Sequence, residues 1–291
     1  MAGSTLANRA LGRLLAQHRR RAGMTAYAVA RLLETSQQTI GRMEDGLKSK
    51  VPQLWINALA DAYHLTDDER RVLIGLAQEL AAAQKSWWRP YSDGLRSGFD
   101  HYMGLEEAAR KMTTWKAAIV PGLLQTPEYR RAIAWIESPG SPTEQVEKQV
   151  EVAVHRQGRL RDTAFELDVV LWEAVLRDQI GGGTVMADQL YRLADMGQLP
   201  NISIRAVPFR APGHLGSLTG SFVLLEFPKL KATGMVEPPV VYVEEYAGDL
   251  YLEQEAEVER YRRAFVEISR VALNPDTTRQ LILSIAKECG P

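Results

Sequence analysis

Apolar side chains recur along the first eighty residues at the spacing of a helix. Leu11, Leu14, Leu15 and His18 fall at i, i+3, i+4 and i+7, which predicts an amphipathic helix over roughly 7–21, with arginines on its other face and Gly23 as its stop. Thr25 can cap a short second helix that holds Val29, Leu32 and Leu33 inside. After a break at Glu34 and Thr35, Ser36 can cap a third helix over 37–44, with Ile40 and Met43 on its core side and Asp45-Gly46 as its end. Pro52 opens a fourth around Leu54, Trp55, Leu59 and Ala62, and Thr66 with Asp67 and Asp68 starts a fifth through Val72, Leu73, Leu76 and Leu80.

Past this helical head the pattern turns Ala-rich and then aromatic at Trp87-Trp88-Arg89-Pro90-Tyr91, where a domain junction is expected. The division is residues 1–83, an all-α domain of five helices, and 84–291, an α+β domain. In the second part helices are expected over 103–117, 127–137, 143–161 and 184–196. Short β-branched runs bounded by Gly, Pro or Asn predict strands over 165–172, 202–207, 221–227 and 240–244. Val258, Tyr261, Phe265, Ile268 and Ala272 share one face of a helix over 255–272, read either as core or as a subunit interface, and a final helix follows Pro275.

A chain of 291 residues suits two domains. No window is apolar enough for a membrane span or a signal peptide, and the single cysteine, Cys289, excludes an intrachain disulfide and a cysteine-based zinc site. A cytoplasmic protein without metal or cofactor is expected. The formal charge of -1 conceals an asymmetry: residues 1–64 hold nine Lys or Arg against four Asp or Glu, a balance of +5, which leaves -6 for the rest. A basic head on an acidic body points to a polyanion as partner of the head alone.

Two short helices joined by a tight turn, with a third packed across them, form a wedge that can place one helix in a DNA major groove. Residues 25–46 have that layout. Gln37, Gln38, Gly41 and Arg42 stand on the outer side of the second helix in the wedge. Glutamine can bond adenine and arginine guanine in paired fashion, so Gln37, Gln38 and Arg42 are the candidate base readers, and Gly41 would let the backbone come close. Thr25, Ser36, Thr39, Lys48 and Lys50 are placed for contacts to the DNA backbone.

The run Thr35-Ser-Gln-Gln-Thr-Ile-Gly-Arg-Met-Glu-Asp-Gly46 resembles the recognition helix of the phage-repressor, or Xre, family of helix-turn-helix regulators. The resemblance implies that the glutamines read bases and that an arginine of the first helix, here Arg19, pairs with the glutamate closing the recognition helix, here Glu44, to hold the frame. Two positions depart from the family. Ala26 replaces the usual phosphate-binding Gln, and Glu34 stands where Gly is favoured in the turn, which predicts a reshaped turn, since positive φ costs a non-glycine residue on the order of 1 kcal/mol.

Trp87-Trp88-Arg-Pro-Tyr91, Pro121-Gly-Leu-Leu-Gln-Thr-Pro-Glu-Tyr129, Gly220-Ser-Phe222 and Asp249-Leu-Tyr-Leu-Glu253 resemble the C-terminal domain of a large group of actinomycete Xre regulators. Members of that group are often encoded beside a small partner protein, which implies sensing of a ligand or protein partner. On the residues alone, the tryptophans read as interdomain packing or a ligand box. Pro121–Tyr129 reads as a loop into a helix capped by Thr126, and Gly181-Gly-Gly183 as a connector or an anion site at a helix start.

Catalytic templates are missing: there is no Gly-x-Ser-x-Gly elbow, no phosphate-binding loop and no His-Glu-x-x-His pair. A hydrolase built from His214, Ser217, Ser221 and Glu244-Glu245 can be drawn, but its spacing meets no known requirement. Three functions therefore stand, with the first leading and no enzyme expected. They are a sequence-specific DNA-binding regulator that acts as a homodimer, an antitoxin-like or anti-regulator module that binds a small protein, and an enzyme carried by a DNA-targeting head.

Overall fold

The computed structural model describes residues 6–47, 50–82, 87, 91, 99–230 and 233–289. They form two compact units. Of these residues the first holds those up to 91, 99–108 and 227–237, and the second 109–226 and 238–289.

The first unit begins with five helices, α1 (Leu6–Arg21), α2 (Ala26–Leu32), α3 (Gln37–Glu44), α4 (Gln53–Ala62) and α5 (Asp67–Ala82). Leu11, Leu15, Val29, Ile40, Leu59, Leu73 and Leu76 are fully buried as the periodicity predicts, and Ile56 joins them, whereas Leu32 and Leu54, expected inside, are 46% and 77% exposed. The same device ends each of the first four helices. A residue with left-handed backbone follows the helix, at Gly23, Glu34, Gly46 and His64 (φ 66, 51, 67 and 53°). The next amide then bonds back across the last turn, Met24 to Arg19, Thr35 to Ala30, Leu47 to Arg42 and Leu65 to Ala60, at 2.8–3.1 Å. The turn at Glu34 therefore keeps the left-handed geometry of its glycine-bearing counterparts instead of being reshaped. A capping box starts α5: the Thr66 amide donates to Glu69 at 2.9 Å and the Glu69 amide to the Thr66 hydroxyl at 3.3 Å. Helix α6 (Phe99–Ala108) and residues 227–237 complete this unit.

In the second unit a six-stranded mixed sheet runs in the order β3-β2-β1-β4-β5-β6. Its strands are β1 (Lys111–Lys116), β2 (Glu166–Trp172), β3 (Ile202–Val207), β4 (Phe222–Glu226), β5 (Val240–Glu245) and β6 (Gly248–Leu252). β1, β2 and β3 are parallel, and β4 to β6 pair antiparallel. The parallel strands are joined by helices: α7 (Pro127–Glu137) and α8 (Thr143–Arg156) between β1 and β2, and α9 (Glu173–Arg177) and α10 (Gly183–Met196) between β2 and β3. α11 (Glu255–Arg270) and α12 (Pro275–Cys289) close the chain. Val258, Phe265 and Ile268 of α11 pack on Trp115, Val170, Val207 and Phe222 of the sheet, so the apolar stripe of this helix is core.

One expected element is corrected. The helix expected over 103–117 stops at Ala108, and Lys111–Lys116 is instead the central strand β1, hydrogen-bonded on both sides. β-branched Thr113 and Thr114 beside Trp115 suit a pleated surface buried on both faces. Strand β6 was not foreseen either.

The Pro121–Tyr129 stretch is a structural joint. Thr126 caps α7 through the Tyr129 amide at 3.2 Å. Buried Gln189 accepts from the Thr126 amide at 2.7 Å and donates to the Leu124 carbonyl at 2.9 Å. The glycine run resolves as a connector: a Cβ on Gly183 would lie 2.5 Å from the Cys289 carbonyl, so the end of α12 abuts the start of α10 where an anion would have to sit.

Candidate nucleic-acid interface

α2 and α3 are each started by a side chain. The Thr25 hydroxyl accepts from the Ala28 amide at 3.1 Å, and the Ser36 hydroxyl accepts from the Thr39 amide at 3.1 Å, as N-cap residues do. Ser36 and Thr39 also share a hydroxyl bond of 2.9 Å. These contacts fix where α3 begins and thus which of its residues come first.

Ile40 and Met43 turn into the core at 0% and 1% exposure, which orients the helix. The opposite side presents Gln37, Gln38 and Arg42 to solvent, together with the partly exposed Gly41 and Thr39. Nothing lies within 4 Å of where a Cβ on Gly41 would project. Exposed Thr25 stands at the start of α2 and exposed Lys50 beyond the end of α3. Lys48 lies outside the described residues.

Behind α3 the frame is ionic. The Arg19 guanidinium forks onto Glu44, Nε to Oε1 at 2.6 Å and Nη2 to Oε2 at 2.9 Å, while its Nη1 donates to the Met24 carbonyl at 2.9 Å. Both side chains are largely buried, 16% and 10% exposed. The Glu44 hydrogen bond raises the Arg19 pKa further, and burial followed by the Glu44 charge pushes the Tyr63 phenol up beside them. A bidentate, part-desolvated pair fixes orientation as well as distance, so α3 cannot rotate about its axis without breaking it.

The periodicity gave no sign of the close approach of α1 to the end of α3. A Cβ on Gly12 would come within 2.5 Å of the Glu44 carbonyl and 2.6 Å of that of Met43, so the two backbones nearly touch there. Asn8 seals the contact by donating to the Gly46 carbonyl at 2.6 Å. The sequence signal was available, a glycine inside a helix of otherwise strong formers, but helix period alone does not say what such a glycine faces.

A family model described as a helix-turn-helix domain matches residues 10–73, and a second, described as a domain of unknown function (DUF5753), matches residues 99–284. No curated protein and no solved structure matches the chain. Among the described residues, no helix is long and apolar enough to cross a membrane. The first match runs from within α1 into α5 and gives the chain the architecture of a helix-turn-helix regulator, with DNA as the partner such a head implies. The second spans more than half of the chain, from α6 into α12, and the protein therefore belongs to the DUF5753 domain family.

Proposed function

We propose that the protein is a cytoplasmic, sequence-specific transcriptional regulator of the phage-repressor type, whose C-terminal domain senses a small molecule or a small partner protein. The observation that carries this reading is the build of α3: its inner side chains are fully buried, its capping and ionic contacts fix its rotation, and its outer side holds Gln37, Gln38 and Arg42 in solvent. Those three residues read base edges, with Gln to adenine and Arg to guanine. Thr25, Ser36, Thr39, Lys48 and Lys50 contact phosphates, and Arg19 with Glu44 holds the frame. A homodimer places two such helices in successive major grooves about 34 Å apart on a pseudo-palindromic site. The reading is non-enzymatic. The Ser221 hydroxyl accepts from the Ala117 amide at 3.1 Å, and the His214 ring stands edge-on to Trp115 at 5.8 Å.

The test is capture of genomic fragments by the purified protein, then fluorescence anisotropy on the best fragment for wild type, Gln37→Ala and Arg42→Ala at two salt concentrations. Each substitution should remove about 1–3 kcal/mol of sequence discrimination while weak, salt-sensitive binding survives. Failure to enrich any fragment, with affinity indifferent to salt, would make the head a protein-binding module. For that second reading the exposed Tyr27, Leu32 and Leu54 on the head, at 61%, 46% and 77%, supply the apolar contact area.

A further inference from the structure

On the sheet face that carries α11, the side chains change character along the strands. At one end Trp115, Val170, Val207 and Phe222 form a dry cluster with Phe265 and Ile268 of the helix. Two or four residues away on the same face, Lys111 (β1), Asp168 (β2), Arg205 (β3) and Glu226 (β4) stand where the apolar layer would continue. Sheet positions covered by a helix ordinarily carry apolar residues, and charge placed there is costly unless something uses it.

The charges line an open cavity of about 460 Å³, of the size of sites for small molecules, walled on its other side by residues of α11. Arg205 donates to Asp168 at 3.0 Å and its guanidinium lies 5.8 Å over the Phe265 ring. Arg262 donates to Glu226 at 2.9 Å. Those pairs leave polar atoms unused: the Arg205 Nε and the Ser269 Oγ are both buried, with no hydrogen-bond partner. Lys111 and Arg270 add two more cations at the cavity, so its lining holds four basic side chains against two acidic ones. Their own partners, Glu166 at 3.8 Å and Glu267 at 2.7 Å, are about half exposed, and such surface pairs yield easily to a better ligand. Leu224, Phe265 and Val266 supply an apolar wall.

We infer that this cavity binds a small organic anion, a carboxylate or phosphate monoester on an aromatic or aliphatic body. The acid group faces Arg205, Ser269 and the two outer cations, and the body lies against Leu224, Phe265 and Val266. The site would be the effector site of the regulator proposed above; that consequence, though not the binding itself, rests on the sensor reading.

Full-length protein titrated with phenyl phosphate, benzoate and benzylamine, followed by calorimetry or ligand-observed NMR, tests the assignment. Phenyl phosphate or benzoate should bind saturably, one per chain, and the stronger of the two names the acid group. Benzylamine should not bind over the same range. Arg270→Glu and, separately, Val266→Asp change exposed positions at the cavity rim, keep the wild-type melting curve and weaken anion binding at least tenfold. Unaltered affinity in both variants, benzylamine binding as tightly as the anions, or saturable binding by neither anion would each overturn the proposal. DNA anisotropy with and without the bound anion separates the two readings. A shift in affinity supports the effector role, whereas intact anion binding without any shift leaves the cavity site standing and removes this ligand class from the sensing mechanism.

Discussion

Two glycines on either side of one contact separate folding from recognition. A Cβ on Gly12 would strike the Glu44 and Met43 carbonyls at 2.5 and 2.6 Å, so Gly12→Ala must push α1 away from α3. Backbone cannot yield as a side-chain tip can, and a loss of about 1–3 kcal/mol is expected in urea unfolding. At Gly41 the new methyl meets nothing within 4 Å, and Gly41→Ala should stabilise the head by about 0.5–1 kcal/mol through helix propensity. If α3 enters the groove as proposed, the same substitution weakens DNA binding, so stability and affinity move in opposite directions. His18 gives a third residue-scale prediction. Its burial, then the Arg21 charge, lower its pKa from 6.5 against a smaller opposing pull from Glu69. As pH falls below 6.5 the unfolded chain takes up a proton that the folded one refuses, so stability declines until the folded pKa is passed. The Glu69 carboxyl, held down to about 2 first by Arg21 and then by the Thr66 amide, contributes stability that is present above 4.5 and is lost as pH falls toward 2. Urea midpoints should therefore drop in two stages, and His18→Gln should flatten only the first.

At the scale of the element, the start of α3 can be tested for two duties at once. Ser36 caps the helix through the Thr39 amide and, in the proposed reading, also meets a phosphate. Ser36→Ala removes the cap and should cost about 1 kcal/mol. Ser36→Asp keeps an acceptor there and complements the helix dipole, so stability holds in denaturant titrations, while on the proposed reading DNA affinity collapses because a carboxylate faces the phosphates. The head was legible because caps, stops and a 3.6-residue period all agreed. Gly23, Thr25, Ser36 and Gly46 each sit where the sequence put them, and Glu34 shows that a left-handed stop can be kept without glycine. The second unit was less legible for a physical reason. Lys111–Lys116 is buried on both faces, so its burial does not alternate and its short run reads equally as helix. β6 escaped notice because its sequence, Gly-Asp-Leu-Tyr-Leu, lies at the sheet edge, where only pairing with β5 defines it. The charged cavity lining was invisible for a related reason: Lys111, Asp168, Arg205 and Glu226 come from four strands and meet only once register is fixed.

For the whole molecule, the head does not end where its helical pattern ends. The compact unit that holds α1 to α5 also takes in α6 and residues 227–237, the connection between β4 and β5. Two contacts show what that segment contributes. Phe227 is 4% exposed with the Arg9 guanidinium 5.3 Å above its ring, and Arg13 donates to Glu237 at 2.6 Å, the carboxylate being 1% exposed. A buried carboxylate deprived of its cation is expensive, and because Arg13 keeps 40% of its side chain in water, the cost of Arg13→Ala in the full chain should lie near the low end for such pairs, about 2 kcal/mol. In a fragment of residues 1–83 the carboxylate is absent, so the same substitution should cost no more than about 0.5 kcal/mol, as at an ordinary surface position. Urea unfolding of wild type and Arg13→Ala in both lengths, with Glu237→Gln in the full chain as the reciprocal change, closes a thermodynamic cycle. A difference between the two lengths means that the connection between two strands of the sheet is part of the DNA-binding unit's own stability. Equal costs in both lengths would confine the contribution of Arg13 to the helices of the head and leave residues 227–237 without a part in its stability.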